Sequence, residues 1–174
     1  MRFALTLFTL LFFTAPTYAK ECNLNALGLG EEFQVLKEKY NLNTDTYNKS
    51  FFYNNIKGKA ICKDLTGAEI KLTFVEKKLA EILLEKRSSS QELLLLASKN
   101  FGELKTKPNM DNKEVKSFAS FWDDKEKVVT YSFAYIADEK LYREKIILVD
   151  RGSAEKLNEF NSMNESTDKE AKKK

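Results

Sequence analysis

The residues that could do chemistry in this chain are carboxylates, because its 174 residues include no histidine. A Ser-His-Asp triad, an HExxH zinc site and a histidine base are therefore excluded. Paired carboxylates can act as acid and base in a hydrolase without any local motif. The candidates on the C-terminal strands are Asp123, Asp124, Glu144 and Asp150. A small carboxylate-dependent envelope hydrolase is one hypothesis for the function.

A second group of candidate site residues is aromatic and would bind rather than react. Tyrosine and tryptophan offer a large rigid contact area with a polar group, and both are enriched at interface hot spots. We define the aromatic stripe, and predict it as the binding surface, as Trp122, Tyr131, Phe133 and Tyr135. The alternative is that this alternating face lies beneath the helices. The exposed face would then carry Thr130, Ser132 and Arg143.

The first 19 residues have the layout of a secretory signal peptide. Arg2 precedes an apolar stretch over 3–13, and Thr17 and Ala19 place small residues around Tyr18, before a cleavage site. The apolar stretch is too short for a membrane-spanning helix, which needs about 20 residues. We expect cleavage after Ala19 and a periplasmic or secreted mature protein without a membrane span.

Cys22 and Cys62 are the two cysteines of the chain. An even number of cysteines in an exported protein favours a disulfide over free thiols. A redox pair or a metal site would need CxxC spacing or further ligands, and the sequence provides neither. We therefore predict a Cys22–Cys62 bridge.

The charge of the chain is nearly balanced. Lysine and arginine total 29 against 26 acids, so removal of Arg2 with the signal leaves 28 − 26 = +2. This charge is not the footprint of a nucleic-acid-binding protein. The charges are dense only over 165–174, where no apolar side chain exceeds alanine, and we predict a disordered tail there. We expect a folded domain over 20–164, with no cofactor and no metal.

Apolar periodicity divides the rest of the chain into two similar halves. Apolar residues at helical spacing predict a helix near 31–40, and strict alternation predicts a strand over 69–74. Ser89 and Glu92 form a capping box before the second helix, which ends at Gly102. Further strands are predicted within 49–63, 79–87, 115–122, 128–136 and 141–149, and a last helix begins at Ser153.

This order of elements predicts an α+β domain, in which an antiparallel sheet has helices packed on one face. It fits either a single unit or a tandem repeat of a helix and a three-stranded meander. The segment 27–33 before the first helix, the hairpin near 79–82, the helix end at 100–102 and the hairpin of Trp122 resemble those of small exported bacterial proteins. These share the helix-plus-meander architecture of the β-lactamase inhibitory protein and of the small subunit of the outer-membrane β-barrel assembly machinery.

That resemblance implies a binding or scaffolding role in the cell envelope. We therefore expect a non-enzymatic periplasmic or secreted module that engages a protein or envelope ligand through a sheet face. The carboxylate-dependent hydrolase remains the alternative.

Overall fold

The computed structural model describes residues 22–44, 49–104, 117–123 and 125–171, with side chains placed as far as 162. The helices are α1 (Phe33–Tyr40), α2 (Glu92–Phe101) and α3 (Ala154–Ala171). The strands are β1 (Phe51–Lys57), β2 (Glu69–Val75), β3 (Lys78–Ser88), β4 (Ser117–Asp123), β5 (Lys127–Ile136) and β6 (Leu141–Asp150). The predicted signal peptide over 1–19 lies outside the described residues.

All six strands form one antiparallel sheet in the order β1-β2-β3-β6-β5-β4. Each half of the chain supplies one helix followed by a three-stranded meander, and β3 pairs with β6 to join the halves. The predicted α+β class is therefore confirmed, with helix and meander occurring twice in tandem.

One face of the sheet forms the core beneath α1 and α2. Ile70, Leu72 and Phe74 are buried on this face, as the alternation predicted. The ring of Phe33 on α1 lies edge-on to Phe74, with the ring centroids 5.2 Å apart. α2 adds three buried side chains to the same cluster, Leu93, Leu96 and Ala97.

α3 packs on the opposite face, at one end of the sheet. Its Leu157 is buried against Val75 and Ala80, and the Phe160 ring stacks on Phe51 at 4.5 Å. Phe51 and Val75 are paired neighbours whose side chains point away from the core face, since side chains alternate along a strand. The three helices therefore do not all pack on one face.

The prediction of a disordered tail over 165–174 is wrong for 165–171, where the backbone continues α3. The reason is that helix propagation costs little once the first turns are anchored. The last three residues, 172–174, lie outside the described residues.

β6 buries the face that the sequence did not favour. Leu141, Ile147 and Val149 alternate as an apolar face of this strand, yet all three are partly exposed. The fully buried face carries Glu144, Ile146 and Leu148. Each set consists of every second residue and so lies on one face of the strand. The positions of α1 and α2 decide which of the two faces is covered.

Gly58 lies between β1 and β2, where the chain passes close to itself. A Cβ at this position would lie 2.1 Å from the Leu65 carbonyl oxygen and 3.0 Å from the Ala68 Cβ. We expect Gly58→Ala to lower the free energy of unfolding by about 2 kcal/mol, because overpacking forces the backbone to shift. Urea unfolding measures the loss, and Gly152→Ala, where the nearest atom is 3.3 Å away, is the control. Equal stability of the two variants would contradict the prediction.

Candidate binding surface

Among the residues that the structure describes, none beyond α3 covers the sheet face opposite α1 and α2, and we call this surface the open face. Its centre is a row of five cross-strand neighbours, one from each of β2, β3, β6, β5 and β4. The row consists of Lys71, Leu83, Ile147, Thr130 and Phe121. Leu83 and Ile147 are partly exposed, and Phe121 at the sheet edge is 62% exposed. The open face therefore presents apolar side chains on β3, β6 and β4, with Thr130 between Ile147 and Phe121, and we call these apolar residues the apolar band.

Ion pairs flank this band. Glu85 accepts a hydrogen bond from Arg143 Nε at 2.5 Å, and its other oxygen lies 3.5 Å from Lys145 Nζ. Lys57 and Glu69 pair at 2.7 Å on the neighbouring strands. Burial alone would raise the pKa of Glu85, but the Arg143 hydrogen bond and the charges of Lys145 and Arg143 together lower it. The carboxylate of Glu85 is thus held in its charged form at the border of the apolar band.

The structure does not place the aromatic stripe on an exposed surface. Tyr131 and Phe133 are 0% and 3% exposed and belong to the core beneath α2, so the prediction that they form a binding surface is wrong. Trp122 and Tyr135 are partly buried. The alternative interpretation is confirmed, because this face of β5 lies under the helices and leaves Thr130, Ser132 and Arg143 on the open face.

Glu144, one of the predicted hydrolase carboxylates, is fully buried and caps α2. Its two carboxylate oxygens accept hydrogen bonds from the backbone N–H groups of Leu93 and Leu94, at 3.2 and 3.1 Å. The hydroxyls of Tyr131 and Ser88 donate to the same carboxylate at 2.9 and 3.3 Å. Burial raises the pKa of Glu144, and these four donors oppose that rise. Burial and the Glu144 charge also raise the pKa of the Tyr131 hydroxyl.

The predicted capping box at Ser89 and Glu92 is absent from the first turn of α2. The N-cap residue is Gln91, which provides no side-chain cap, and Glu92 pairs instead with Lys86 at 2.5 Å. A carboxylate at the N-terminus of a helix is favourable because it meets unsatisfied N–H groups and the positive end of the dipole. Glu144 therefore has a structural role that the local sequence pattern assigned to other residues.

The other predicted carboxylates do not converge on a common site. Asp123 pairs with Arg151, and Asp150 accepts a hydrogen bond from Ser153 Oγ at 2.7 Å. Glu144 and Asp150 are six residues apart on β6, about 20 Å along an extended strand. Glycosidase carboxylates stand about 5 to 9.5 Å apart. Asp124 lies outside the described residues.

Ser153 and Lys156 stand at the spacing of a Ser-x-x-Lys nucleophile motif, which sequence reasoning passed over. The Ser153 hydroxyl donates to Asp150, whereas Lys156 Nζ pairs with Glu76 at 2.5 Å. In the hydrolases that use this motif, the lysine lies beside the serine and assists its deprotonation. Here both side chains have other partners, so the spacing gives no activated serine.

Cys22 and Cys62 form the predicted disulfide, with their Cα atoms 5.5 Å apart. The bridge joins the first described residue to the segment between β1 and β2. Within the described ranges, the Cys, Asp and Glu side chains form no group of three that could hold a metal ion. None of the helices in those ranges is both long and apolar enough to cross a membrane.

Comparison with known proteins finds no match for the chain among protein-family models, curated proteins or solved structures. The resemblance to the β-lactamase inhibitory protein and to the small assembly subunit therefore stays a prediction.

Proposed function

We propose that this protein is a non-enzymatic binding module, exported to the periplasm or beyond, which engages a protein partner with its open face. The observation that carries the proposal is the apolar band of Leu83, Ile147 and Phe121 across an uncovered sheet. Apolar side chains surrounded by charged ones reproduce the anatomy of a protein interface, which has an apolar centre and a polar rim. Export is supported by the first 19 residues and by the disulfide, which persists in oxidising compartments.

A protein partner suits this surface better than a small molecule. A cavity of about 440 Å³ lies at one side of the open face, where Lys71, Leu83 and Glu85 line it. The band continues beyond that cavity onto Ile147 and Phe121 of other strands, so it is wider than the concave site that encloses most of a small ligand. The ion pairs of Glu85 with Arg143 and Lys145 offer both signs of charge to groups on a partner. Such rim charges set orientation and association rate more than affinity.

The hydrolase alternative has less support. Glu144 is buried under α2 and has no exposed surface, while Asp123 and Asp150 lie on opposite faces of the sheet. A pair of carboxylates that must flank one bond cannot act from opposite faces. We therefore place the function on the open face rather than on these acids.

Weakening the apolar band should release the partner while the fold persists. We expect Leu83→Thr with Ile147→Thr to weaken binding at least about 30-fold, since each interface anchor contributes about 1–2 kcal/mol. Threonine is β-branched, a shape that strands favour, so the sheet is retained at both positions. The measurement is photo-crosslinking from position 83 in the full chain, followed by affinity measurement with the identified partner.

The matched control is Leu95→Gln on α2, where the side chain is 72% exposed on the other side of the molecule. This variant should bind as the wild type does, and thermal unfolding should confirm that all variants are folded. The proposal would be wrong if the double threonine variant kept full affinity, or if crosslinks formed equally from position 95.

A further inference from the structure

Strand β4 lies at one edge of the sheet and lacks the features that usually protect an edge strand. Natural edge strands are shielded from other chains by lysines, prolines, bulges or a covering element. β4 contains neither lysine nor proline, and it pairs with β5 without a shift of register. Among the residues that the structure describes, no strand pairs with the outer side of β4. This side therefore offers backbone N–H and C=O groups to a further strand.

β1, the strand at the other edge of the sheet, has such protection. At its first residue, the ring of Phe160 from α3 stacks on Phe51. In its middle, the side-chain oxygen of Asn54 accepts a hydrogen bond from the backbone N–H of Asn43 at 2.9 Å. The strand ends at Lys57, an edge lysine of the kind that discourages pairing with another chain. The two edges of the sheet are therefore not equivalent, and β4 is the better candidate for pairing.

Two copies of β4 complement each other when they run antiparallel. A two-fold axis at Ser120, perpendicular to the sheet, would pair every residue of the range 117–123 with a residue of the second copy. On the open face, Ala119 would lie opposite Phe121 of the second copy. Both side chains are exposed in the single chain, and the Phe121 ring is 62% exposed. A small and a large apolar side chain would therefore cover each other on both sides of the axis.

The other face of this pairing is aromatic. There Phe118 would lie opposite Trp122 of the second copy, and aromatic pairs across neighbouring strands stabilise a sheet. The indole ring is already fixed in position, since Trp122 Nε1 donates to the Gly102 carbonyl oxygen at 3.0 Å. A side chain that is already ordered loses little conformational entropy when two copies associate.

The charges of β4 are compatible with the same register. Asp123 is the only charged residue of the strand, and it is paired with Arg151. In the antiparallel pair it would lie opposite Ser117 of the second copy. The two Asp123 carboxylates would then stand six residues apart along the strands, about 20 Å. Like charges directly opposite each other destabilise paired strands, and this register avoids them.

We propose that two copies of this protein pair through β4, about a two-fold axis at Ser120, and join their six-stranded sheets into one continuous sheet. Two-fold dimers are the commonest oligomers of soluble proteins. Because the axis is perpendicular to the sheet, the open faces of both copies lie on the same side, and Leu83 and Ile147 stay uncovered. The pairing uses the edge of the sheet, so it does not depend on the partner proposed for the open face.

A charge exchange at the axis tests this dimer, because Ser120 lies opposite itself only in this register. Sedimentation equilibrium of the purified full chain should show a dimer with a Kd of about 10 µM, as suits an interface below the standard size. Ser120→Lys and Ser120→Glu should each weaken dimerisation at least about tenfold, since each brings like charges together. An equimolar mixture of the two variants should form a heterodimer at least about tenfold tighter than either homodimer.

A second variant avoids the partly buried position 120. Ala119 is exposed, and Ala119→Glu would place two carboxylates diagonally across the axis, so it should also weaken the dimer. The matched control is Asn55→Lys, which introduces a charge at an exposed position of β1 and should leave the Kd unchanged. The open-face double variant, Leu83→Thr with Ile147→Thr, should also dimerise as the wild type does. Circular dichroism with thermal unfolding confirms that each variant is folded.

Three results would overturn the assignment. One is a wild-type chain that stays monomeric up to about 200 µM, twenty times the expected Kd. Another is a dimer of unchanged affinity in the folded variants Ser120→Lys and Ala119→Glu, or a mixture of the two charge variants that associates no better than each alone. The third is a dimer that is weakened by Asn55→Lys or by the open-face double variant instead, which would place the contact on β1 or on the open face.

Discussion

Replacing Glu144 with alanine is expected to lower the free energy of unfolding by at least about 3 kcal/mol, because it leaves three donors beneath α2 without an acceptor. These are the N–H groups of Leu93 and Leu94 and the hydroxyl of Tyr131, whereas the Ser88 hydroxyl can still donate to the Ser90 carbonyl oxygen. The two N–H groups belong to the first turn of α2, where the helix has no preceding turn whose carbonyl groups could accept from them. The substitution also leaves a cavity beneath the helix, which adds to the loss.

Thermal unfolding followed by circular dichroism measures this effect. In a domain of this size each kcal/mol shifts Tm by about 2–4 °C, so Glu144→Ala should lower Tm by roughly 6–12 °C. Glu139→Ala is the matched control, since Glu139 lies in the turn before β6 and forms an exposed pair with Arg87 at 3.6 Å. An exposed pair contributes at most about 1 kcal/mol. A Glu144→Ala variant as stable as Glu139→Ala would show that the cap does not hold α2.

Glu144→Gln separates the charge of this residue from its shape. The pKa of Glu144 is raised above its ordinary 4.5 mainly by burial, so the folded chain binds this proton more tightly than the unfolded chain does. The contribution of protonated Glu144 to the free energy of unfolding is fully present below the ordinary pKa. It is lost as the pH rises through the raised pKa. As the pH increases from about 4 to about 7, the urea midpoint of Glu144→Gln should therefore rise relative to that of the wild type. Parallel pH profiles would contradict the raised pKa.

The strands of this fold could be predicted because their signal is local. The alternation of Ile70, Leu72 and Phe74 specifies both the strand and its buried face. Between the strands predicted over 69–74 and 79–87, Glu76 and Lys77 form a two-residue turn with positive φ at both residues. This geometry matches the twist of a hairpin and joins β2 to β3. Short-range periodicity was therefore sufficient to predict β2 and β3.

The candidate site could not be predicted in the same way, because it depends on where the helices pack. Both faces of β5 alternate regularly, and only the position of α2 determines that Tyr131 is buried and Thr130 is partly exposed. The cap of α2 comes from a residue about 50 positions away, beyond the reach of any capping pattern. One signal was present in the sequence, since Glu144 alternates with Ile146 and Leu148. A charged residue on a strand's apolar face needs buried partners.

Removing the Cys22–Cys62 disulfide should markedly lower the stability of this chain. Cys22 and Cys62 are separated by 40 residues, and a bridge across a loop of that length stabilises the fold by about 4 kcal/mol through the restricted unfolded chain. The double variant Cys22→Ala with Cys62→Ala should therefore unfold at a Tm roughly 8–16 °C below that of the oxidised protein.

The folded state should survive this loss, because other contacts hold the N-terminal segment. Asn100 on α2 accepts a hydrogen bond from Leu24 N at 2.8 Å and donates to the Cys22 carbonyl oxygen at 3.3 Å, and Leu24 and Leu27 are buried. The far-ultraviolet spectrum of the double variant should therefore match that of the oxidised protein at low temperature. Wild-type protein reduced with dithiothreitol keeps both sulfur atoms in place, so it separates lost packing from the lost cross-link. If the cross-link acts through the unfolded chain, the reduced wild type and the double variant should have nearly equal midpoints. A reduced protein as stable as the oxidised one would show that the bridge adds nothing to the contacts of Asn100.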